Sequence, residues 1–255
     1  MNFEGKRIVI TGASKGLGAV CARYFASQGA CLALIARDGK KLEEVRLSCT
    51  FPERHKTFSV DLTSSANLVS TFGEVNLFLK EVDVVLHVAG GGLGLRDPLL
   101  SANDFEKLFR LNLTQVMEIN RLVIPQMILR GKGNVVHVGS IASTEATGSV
   151  GYNTAKAALA AYVRSLGREL GGKRIIITGI LPGGFIAPEN SWVRFQNRDP
   201  AGVESFIKER LPRGKLGTAE EIIPLLAFLC SDDASMMGGC MVPIDAGEGK
   251  AYLVE

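Results

Sequence analysis

The sequence predicts an α/β fold in which a parallel, doubly wound sheet of about seven strands occupies one domain. Three observations carry this. Seven short runs of β-branched and aliphatic residues recur along the chain, most of them nearly all apolar, as parallel strands covered on both faces require. Longer stretches of helical periodicity separate them. A glycine-rich turn follows the first run at once, at a strand-to-helix junction. Strand–helix–strand repetition closes as parallel strands with right-handed crossovers. No repeat and no low-complexity linker divides the 255 residues, a length one α/β domain routinely reaches.

The elements follow in order. Residues 7–11 form the first strand, and the helix after it, 17–28, buries Val20, Phe25 and neighbouring alanines. The second strand is 31–36, and Lys40, Lys41 and Glu43 mark a solvated face on the next helix. A third strand, 56–60, leads to a helix on which Leu68, Phe72, Val75 and Leu79 keep helical spacing. Strands at 83–89 and 134–139 flank a long helix at 103–129, and a second long helix, 152–170, precedes the sixth strand at 174–181. Gly29, Gly131 and Gly171 stand where helices should stop, because glycine takes the left-handed terminal conformation freely. Thr218-Ala219-Glu220-Glu221 reads as a capping box opening a helix to Leu229, and 240–245 is the last strand. Only 183–217 escapes the alternation; it holds Phe185, Trp192, Phe195 and a short helix near 203–211. Long loops in compact domains are functional or disordered, and this aromatic content points to a substrate loop with Trp192 as a lid residue.

Composition excludes several classes. A net charge of +3, with its cations dispersed, does not suggest a nucleic-acid binder. No apolar run is long enough to span a membrane, and the first residues lack the charged-then-apolar pattern of a signal sequence. Cys21, Cys31, Cys49, Cys230 and Cys240 show no metal or redox spacing. They read as reduced thiols in a cytoplasmic protein. His55 is expected on a loop surface and His137 in the core; with His87 these are three separated histidines and no metal site.

The turn Thr11-Gly12-Ala13-Ser14-Lys15-Gly16-Leu17-Gly18 opens a helix whose free N–H groups and positive dipole end suit a pyrophosphate. The second strand then tests which nucleotide fits. Ala36 leaves the strand tip without a carboxylate, Arg37 can fork onto a phosphate, and Lys15 adds a second cation. Asp38 is the competing feature, since a one-residue shift would put a carboxylate at the ribose. The balance favours NADP over NAD. Asp61, ending the third strand, either accepts from the adenine amino group or caps the helix beginning near Ser64.

At the reacting end, Tyr152 and Lys156 share one helix face. A neighbouring ammonium is expected to favour the phenolate, bringing the phenol toward neutrality as an acid–base. Ser140, just past the fifth strand, lies where ligands bind in open α/β sheets, and its hydroxyl can polarise a carbonyl. Asn112 is a polar amide on an apolar helix; it can distort that helix and hold a water, or be a satisfied core amide.

These ordered motifs, with Ala89-Gly90, Pro182-Gly183 and the closing segment 239–247, resemble the short-chain dehydrogenase/reductase superfamily over essentially the whole chain. The glycine turn, the capping box and Arg213-Gly214-Lys215-Leu216-Gly217 resemble its 3-oxoacyl-carrier-protein reductase branch. The resemblance implies a Rossmann-like sheet of seven strands and an active-site tetrad of Asn112, Ser140, Tyr152 and Lys156. It implies an NADP(H) site along Gly12, Ser14, Lys15, Gly16, Leu17, Gly18, Arg37, Asp61, Leu62, Ala89, Gly90, Pro182, Gly183, Phe185 and Ile186. There Lys156 also holds the nicotinamide ribose and Asp61 the adenine. It further implies a homodimer or homotetramer built through the two long helices. Departures are visible: His87-Val88 replaces an amide pair, Gly139 a frequent serine, and no threonine follows Pro182-Gly183 before Pro188. The expected function is an NADP(H)-dependent carbonyl reductase acting on a small molecule, with 3-oxoacyl thioesters first in line. The alternatives are a dehydrogenase of sugars, nucleotide-sugars or secondary metabolites and, from another class, a non-catalytic NADP(H) sensor.

Overall fold

In the computed structural model, which describes residues 1–251, seven parallel strands form one sheet. The last four residues of the predicted domain, 252–255, lie outside the described residues. The elements are β1 (Arg7–Thr11), α1 (Gly16–Ser27), β2 (Cys31–Ala36), α2 (Gly39–Leu47), β3 (Lys56–Ser59), α3 (Ser65–Leu79), β4 (Val84–His87), α4 (Ala102–Phe109) and α5 (Gln115–Arg130). They continue with β5 (Gly133–Val138), α6 (Val150–Leu170), β6 (Ile175–Pro182), β7 (Phe185–Ile186), α7 (Ser191–Arg198), α8 (Pro200–Arg210), β8 (Gly217–Thr218), α9 (Ala219–Leu229) and β9 (Met241–Ile244).

The sheet runs β3-β2-β1-β4-β5-β6-β9, so strand order reverses between β1 and β4. That reversal opens a crevice at the carboxyl ends of the strands, the place where ligands bind in such sheets. Alternating strand residues feed two cores. Ile8, Ile10, Leu32, Leu34 and Leu86 pack against α1 and α9. Val9, Ile35, Val85 and Val135 face α3, α5 and α6. All seven main-sheet strands lie within a residue or two of their predicted bounds; the inner ones are apolar on both faces, while the edge strand β3 buries only Phe58.

The long helix predicted at 103–129 is interrupted. Residues Arg110–Thr114 form a π-helical turn between α4 and α5, with Asn112 in its middle. This is one of the two outcomes open to the buried amide. Gly131 ends α5 in the left-handed region as expected, and Gly29 is also left-handed. Gly171 is not: it stays right-handed and starts a 3-10 turn, and Arg174 takes the left-handed position instead. The capping box on Thr218 and Glu221 is complete in both directions.

The segment after β6 is more ordered than its sequence suggested. Helices α7 and α8 both form there, and their apolar faces build a small separate core from Val203, Leu211 and Leu216 with Trp192, Phe195 and Phe206. The α7 pattern was missed because its aromatics face this local core rather than the sheet. A two-stranded ladder, β7 with β8, ties the two ends of the excursion together. His55, expected at the surface, is only 5% exposed. Its Nδ1 accepts from the Leu32 amide at 3.3 Å and its Nε2 lies 2.9 Å from the Thr50 carbonyl, so it plugs the loop between α2 and β3. All five cysteines are free thiols. Among the described residues no helix is long and apolar enough to cross a membrane.

Candidate active site

The glycine turn links β1 to α1 along the crevice. A Cβ on Gly18 would lie 2.3 Å from the Gly12 carbonyl oxygen, and one on Gly12 would lie 2.9 Å from the Ala89 backbone. Both positions exist as glycine so that the turn can fold tightly onto itself and onto the β4 end. The amino end of α1 has no side-chain cap and no acidic residue in its first turn. Gly16 N is taken by Pro188 O, which leaves the following amides of the turn and the dipole available to an anion. Thr11 braces the neighbouring strand end: its hydroxyl accepts from the amides of Val88 and Ala89 at 3.2 and 3.3 Å. Ser14 and Lys15 sit on the outer rim of this turn, while Leu17 is buried beneath it.

At the tip of β2, Arg37 is exposed, and its side chain makes no hydrogen bond or ion pair among the described residues. Asp38, its competitor in the sequence, is committed elsewhere. It is the N-cap of α2, accepting the Lys41 amide at 3.1 Å. Asp61 closes a turn rather than capping α3, whose N-cap is Ser64. One oxygen, Oδ1, accepts from the Thr63 amide at 3.0 Å and its hydroxyl at 2.8 Å. The Thr63 amide is the main reason the carboxyl is held below the usual carboxylate range, and the Arg37 charge adds to it. Leu62 is buried behind it.

The other end of the crevice brings the four reacting candidates together. Asn112, 1% exposed, spans the loop after β4: its Oδ1 accepts from Gly91 N at 3.0 Å, and its Nδ2 donates to Gly91 O at 3.0 Å and Leu108 O at 2.9 Å. A Cβ on Gly90 would stand 2.9 Å from Asn112 Oδ1 and 3.2 Å from Lys156 Nζ, so these three positions converge. Lys156 Nζ donates to the Val138 carbonyl at 2.9 Å, at the end of β5, and lies 5.8 Å from the centre of the Tyr152 ring. Gly92 packs against the same ring. Ser140 accepts the Ala142 amide at 3.1 Å, which fixes its side chain beyond β5.

The electrostatics of the pair differ from expectation. Burial pushes the Tyr152 phenol up, and only the Ser140 hydroxyl pulls it partway back. The ammonium, turned to the Val138 carbonyl and 5.8 Å from the ring centre, does not pull the phenol down, and it is itself buried. That burial lowers Lys156 to about 8. The site therefore holds a protonated phenol beside a lysine that can lose its charge, a proton donor rather than a standing phenolate.

Pro182 and Gly183 end β6, and Phe185 and Ile186 form β7 beside the mouth. Three features of this mouth had no sequence signal. Glu145 Oε1 accepts from the amides of Lys250 and Ala251 at 2.6 and 3.0 Å, drawing the segment after β9 over the crevice. Glu248 Oε2 accepts from Gly184 N at 2.6 Å, and burial pushes its carboxyl up. Pro188 O accepts from Gly16 N at 2.8 Å, so the chain after β7 crosses the glycine turn. Trp192 packs on Phe206, 4.5 Å between ring centres, and borders Gly184. Among the described residues no group of three His, Cys, Asp or Glu side chains gathers as a metal centre.

Comparison with known proteins agrees with this geometry. The family model for short chain dehydrogenase matches residues 6–197. The 3-oxoacyl-[acyl-carrier-protein] reductase FabG of Escherichia coli (strain K12) is 30% identical over 251 residues, covering 97% of this chain and 98% of that protein. Meso-2,3-butanediol dehydrogenase of Serratia marcescens is 27% identical over 249 residues, 97% of this chain and 96% of its own. The crystal structure of L-sorbose reductase from Gluconobacter frateurii, complexed with NADPH and L-sorbose, superposes with a TM-score of 0.91 at 26% identity, covering 99% of both chains. The chain belongs to the short chain dehydrogenase family, oxidoreductases that act with a nicotinamide cofactor.

Proposed function

We propose that the protein is an NADP(H)-dependent carbonyl reductase, in one domain, with Tyr152 as the proton donor and 3-oxoacyl thioesters as the first substrate class to try. The observation that supports this most is the convergence of Asn112, Gly90, Lys156 and Tyr152, with Ser140 opposite, at the carboxyl ends of β4 and β5.

The nicotinamide supplies the hydride when bound; the rest is the chain's own work. Ser140 donates to the substrate carbonyl and polarises it. The Tyr152 phenol, protonated in the buried site, gives its proton to the oxygen as negative charge develops there. Lys156 holds the ribose beside the Tyr152 ring. Asn112 keeps the loop at Gly91 in place and so the floor of the site. The glycine turn takes the pyrophosphate on the α1 amides, and Asp61, whose Oδ2 points no bond into the protein among the described residues, takes the adenine. Preference for NADP rests on Arg37 and Lys15 being exposed cations while Asp38 is occupied as an N-cap. The free thiols fit a reducing, cytoplasmic setting, and α5 and α6 are the faces through which a homodimer or homotetramer would form.

The test is NADPH consumption with a short 3-oxoacyl thioester, comparing the intact protein with Tyr152→Phe. Turnover that drops by a factor of about a hundred or more in the variant supports both reaction and acid. Tight NADPH binding without turnover on this substrate, but with turnover on sugars or diols, replaces the thioester reading. Equal rates in protein and variant remove Tyr152 from its role.

A further inference from the structure

The segment 187–190 crosses the nucleotide end of the crevice and is held there by contacts the reaction does not use. Pro188 O takes the amide of Gly16, the first residue of α1. Glu189, at a left-handed φ of 55°, forms an ion pair with Lys41, three residues past the N-cap of α2. Asn190 donates to Phe185 O at 2.7 Å and caps α7 through Val193 N at 3.0 Å. This is a strap anchored on both sides, with one carboxylate reaching toward the tip of β2.

The surroundings of that carboxylate are cationic. Lys41 holds the Glu189 carboxyl below its usual range, and Lys15 from the glycine turn adds to the effect, opposed by Asp38. Glu189 in turn raises the Lys41 ammonium. A recess of about 250 Å³ lies here, where Lys15, Arg23 and Lys41 face Glu44 and Glu189, with Ser14 and Pro188 completing the rim. Lys41 also stands one helical turn from Arg37, because its amide is bonded to Asp38.

We propose that Lys41 is a further specificity-determining residue, binding the 2′-phosphate of NADP(H) in exchange for the Glu189 carboxylate. This rests on the NADP reading and goes beyond it by naming the cation and its resident counter-ion. The exchange follows from charge. In this exchange the strap leaves Gly16 as a dinucleotide takes its place along the glycine turn, and the protein gives up the Glu189–Lys41 pair. A ribose bearing a 2′-phosphate restores an anion to Lys41, whereas a ribose bearing a hydroxyl leaves the cation without one. The strap thereby converts one phosphate into a difference between two cofactors.

Calorimetric titration of the full chain with adenosine 2′,5′-bisphosphate and with 5′-AMP separates the possibilities. The intact protein should prefer the bisphosphate. Lys41→Gln should cut that preference about tenfold, the size of one charge-assisted contact, and Lys41→Arg should keep most of it. Glu189→Gln, which removes the competing anion, should tighten the bisphosphate by about threefold, as the loss of an exposed pair allows. Preference that survives Lys41→Gln but disappears in Arg37→Gln overturns the role of Lys41 and leaves the NADP reading standing. Affinity unchanged or weaker in Glu189→Gln overturns the exchange. No preference in the intact protein overturns the NADP reading and this inference with it.

Discussion

The imidazoles of His87 and His137 stack face to face, 4.9 Å between ring centres and 18° from parallel, sealed from solvent beneath the active-site floor. Their tautomers follow from their partners. His137 Nδ1 faces the Thr178 carbonyl at 2.8 Å and must donate, so its Nε2 accepts from Asn120 at 3.3 Å. The Asn120 carbonyl then takes the proton of His87 Nε2 at 2.9 Å, and Asn120 also donates to the Tyr162 hydroxyl at 3.1 Å. His87 thus ties β4 to α5 through Asn120 as a neutral ring.

That neutrality makes folding pH-dependent. Burial lowers His87 to about 4 and holds His137 well below its ordinary value too, against 6.5 for a solvated histidine. Below pH 6.5 the unfolded chain binds protons that the folded chain refuses. Stability is therefore full above that pH and is lost as pH falls toward 4. For His87 alone the loss reaches about 2 kcal/mol by pH 5. Urea unfolding at pH 7 and pH 5 should show His87→Asn losing less stability over this interval than the intact protein. His55, also lowered by burial, keeps part of the slope in both. Identical slopes would mean that the pair opens to solvent.

Lys156 sets an alkaline limit. It loses its charge as pH rises through about 8, while the Tyr152 phenol, pushed up by burial, stays protonated. Reduction measured as kcat/KM should hold below pH 8 and fall above it. Lys156→Arg should be slower throughout but lack this limb, since a guanidinium does not titrate there. A limb at the same pH in the variant would assign it to another group.

Gly90 leaves no room for a side chain between Asn112 and Lys156. In Gly90→Ala the new methyl crowds both the Asn112 side chain, which three backbone contacts hold, and Lys156 Nζ, so both must shift. Stability should drop by about 1–3 kcal/mol, the usual range for overpacking, while kcat falls about a hundredfold from misplacement of the lysine. Thermal melts and steady-state rates on one preparation check both. A normal kcat would show that the ammonium tolerates displacement.

Arg37→Ala should weaken NADPH by a factor of about ten to a hundred, the range of lost charge-assisted hydrogen bonds, and barely change NADH. Direct binding of each cofactor measures this. Equal weakening of both would place Arg37 against the adenine or the diphosphate instead.

Much of this site was legible beforehand because its residues are tied to local chemistry. A glycine turn after a strand, an amide in an apolar helix and a Tyr–Lys pair on one face each announce a position along a known element. Asn112 left the break in its own helix as one of two open outcomes. What the sequence concealed depends on contacts between distant segments. Lys156 reads as a neighbour of Tyr152, but Val138, eighteen residues away, decides where its charge goes. His55 looks like loop surface until β2 and the Thr50 carbonyl enclose it. Glu145, Glu189 and Glu248 look like ordinary exposed acids, and each pins a remote backbone or side chain across the mouth. Helix α7 hid because its aromatics answer to a satellite core, not to the sheet.

The two-residue ladder of β7 and β8 has an evolutionary reading. Phe185 pairs with Gly217 and Ile186 with Thr218, so everything between leaves the sheet and returns to the same spot. A closed excursion with its own small core is a cassette. Doubling its length would cost only about 0.6 kcal/mol in closure entropy, and neither anchor nor sheet would register the change. A lineage can rewrite α7 and α8 within this cassette so long as the strap at 187–190 keeps its hold on Gly16 and Lys41.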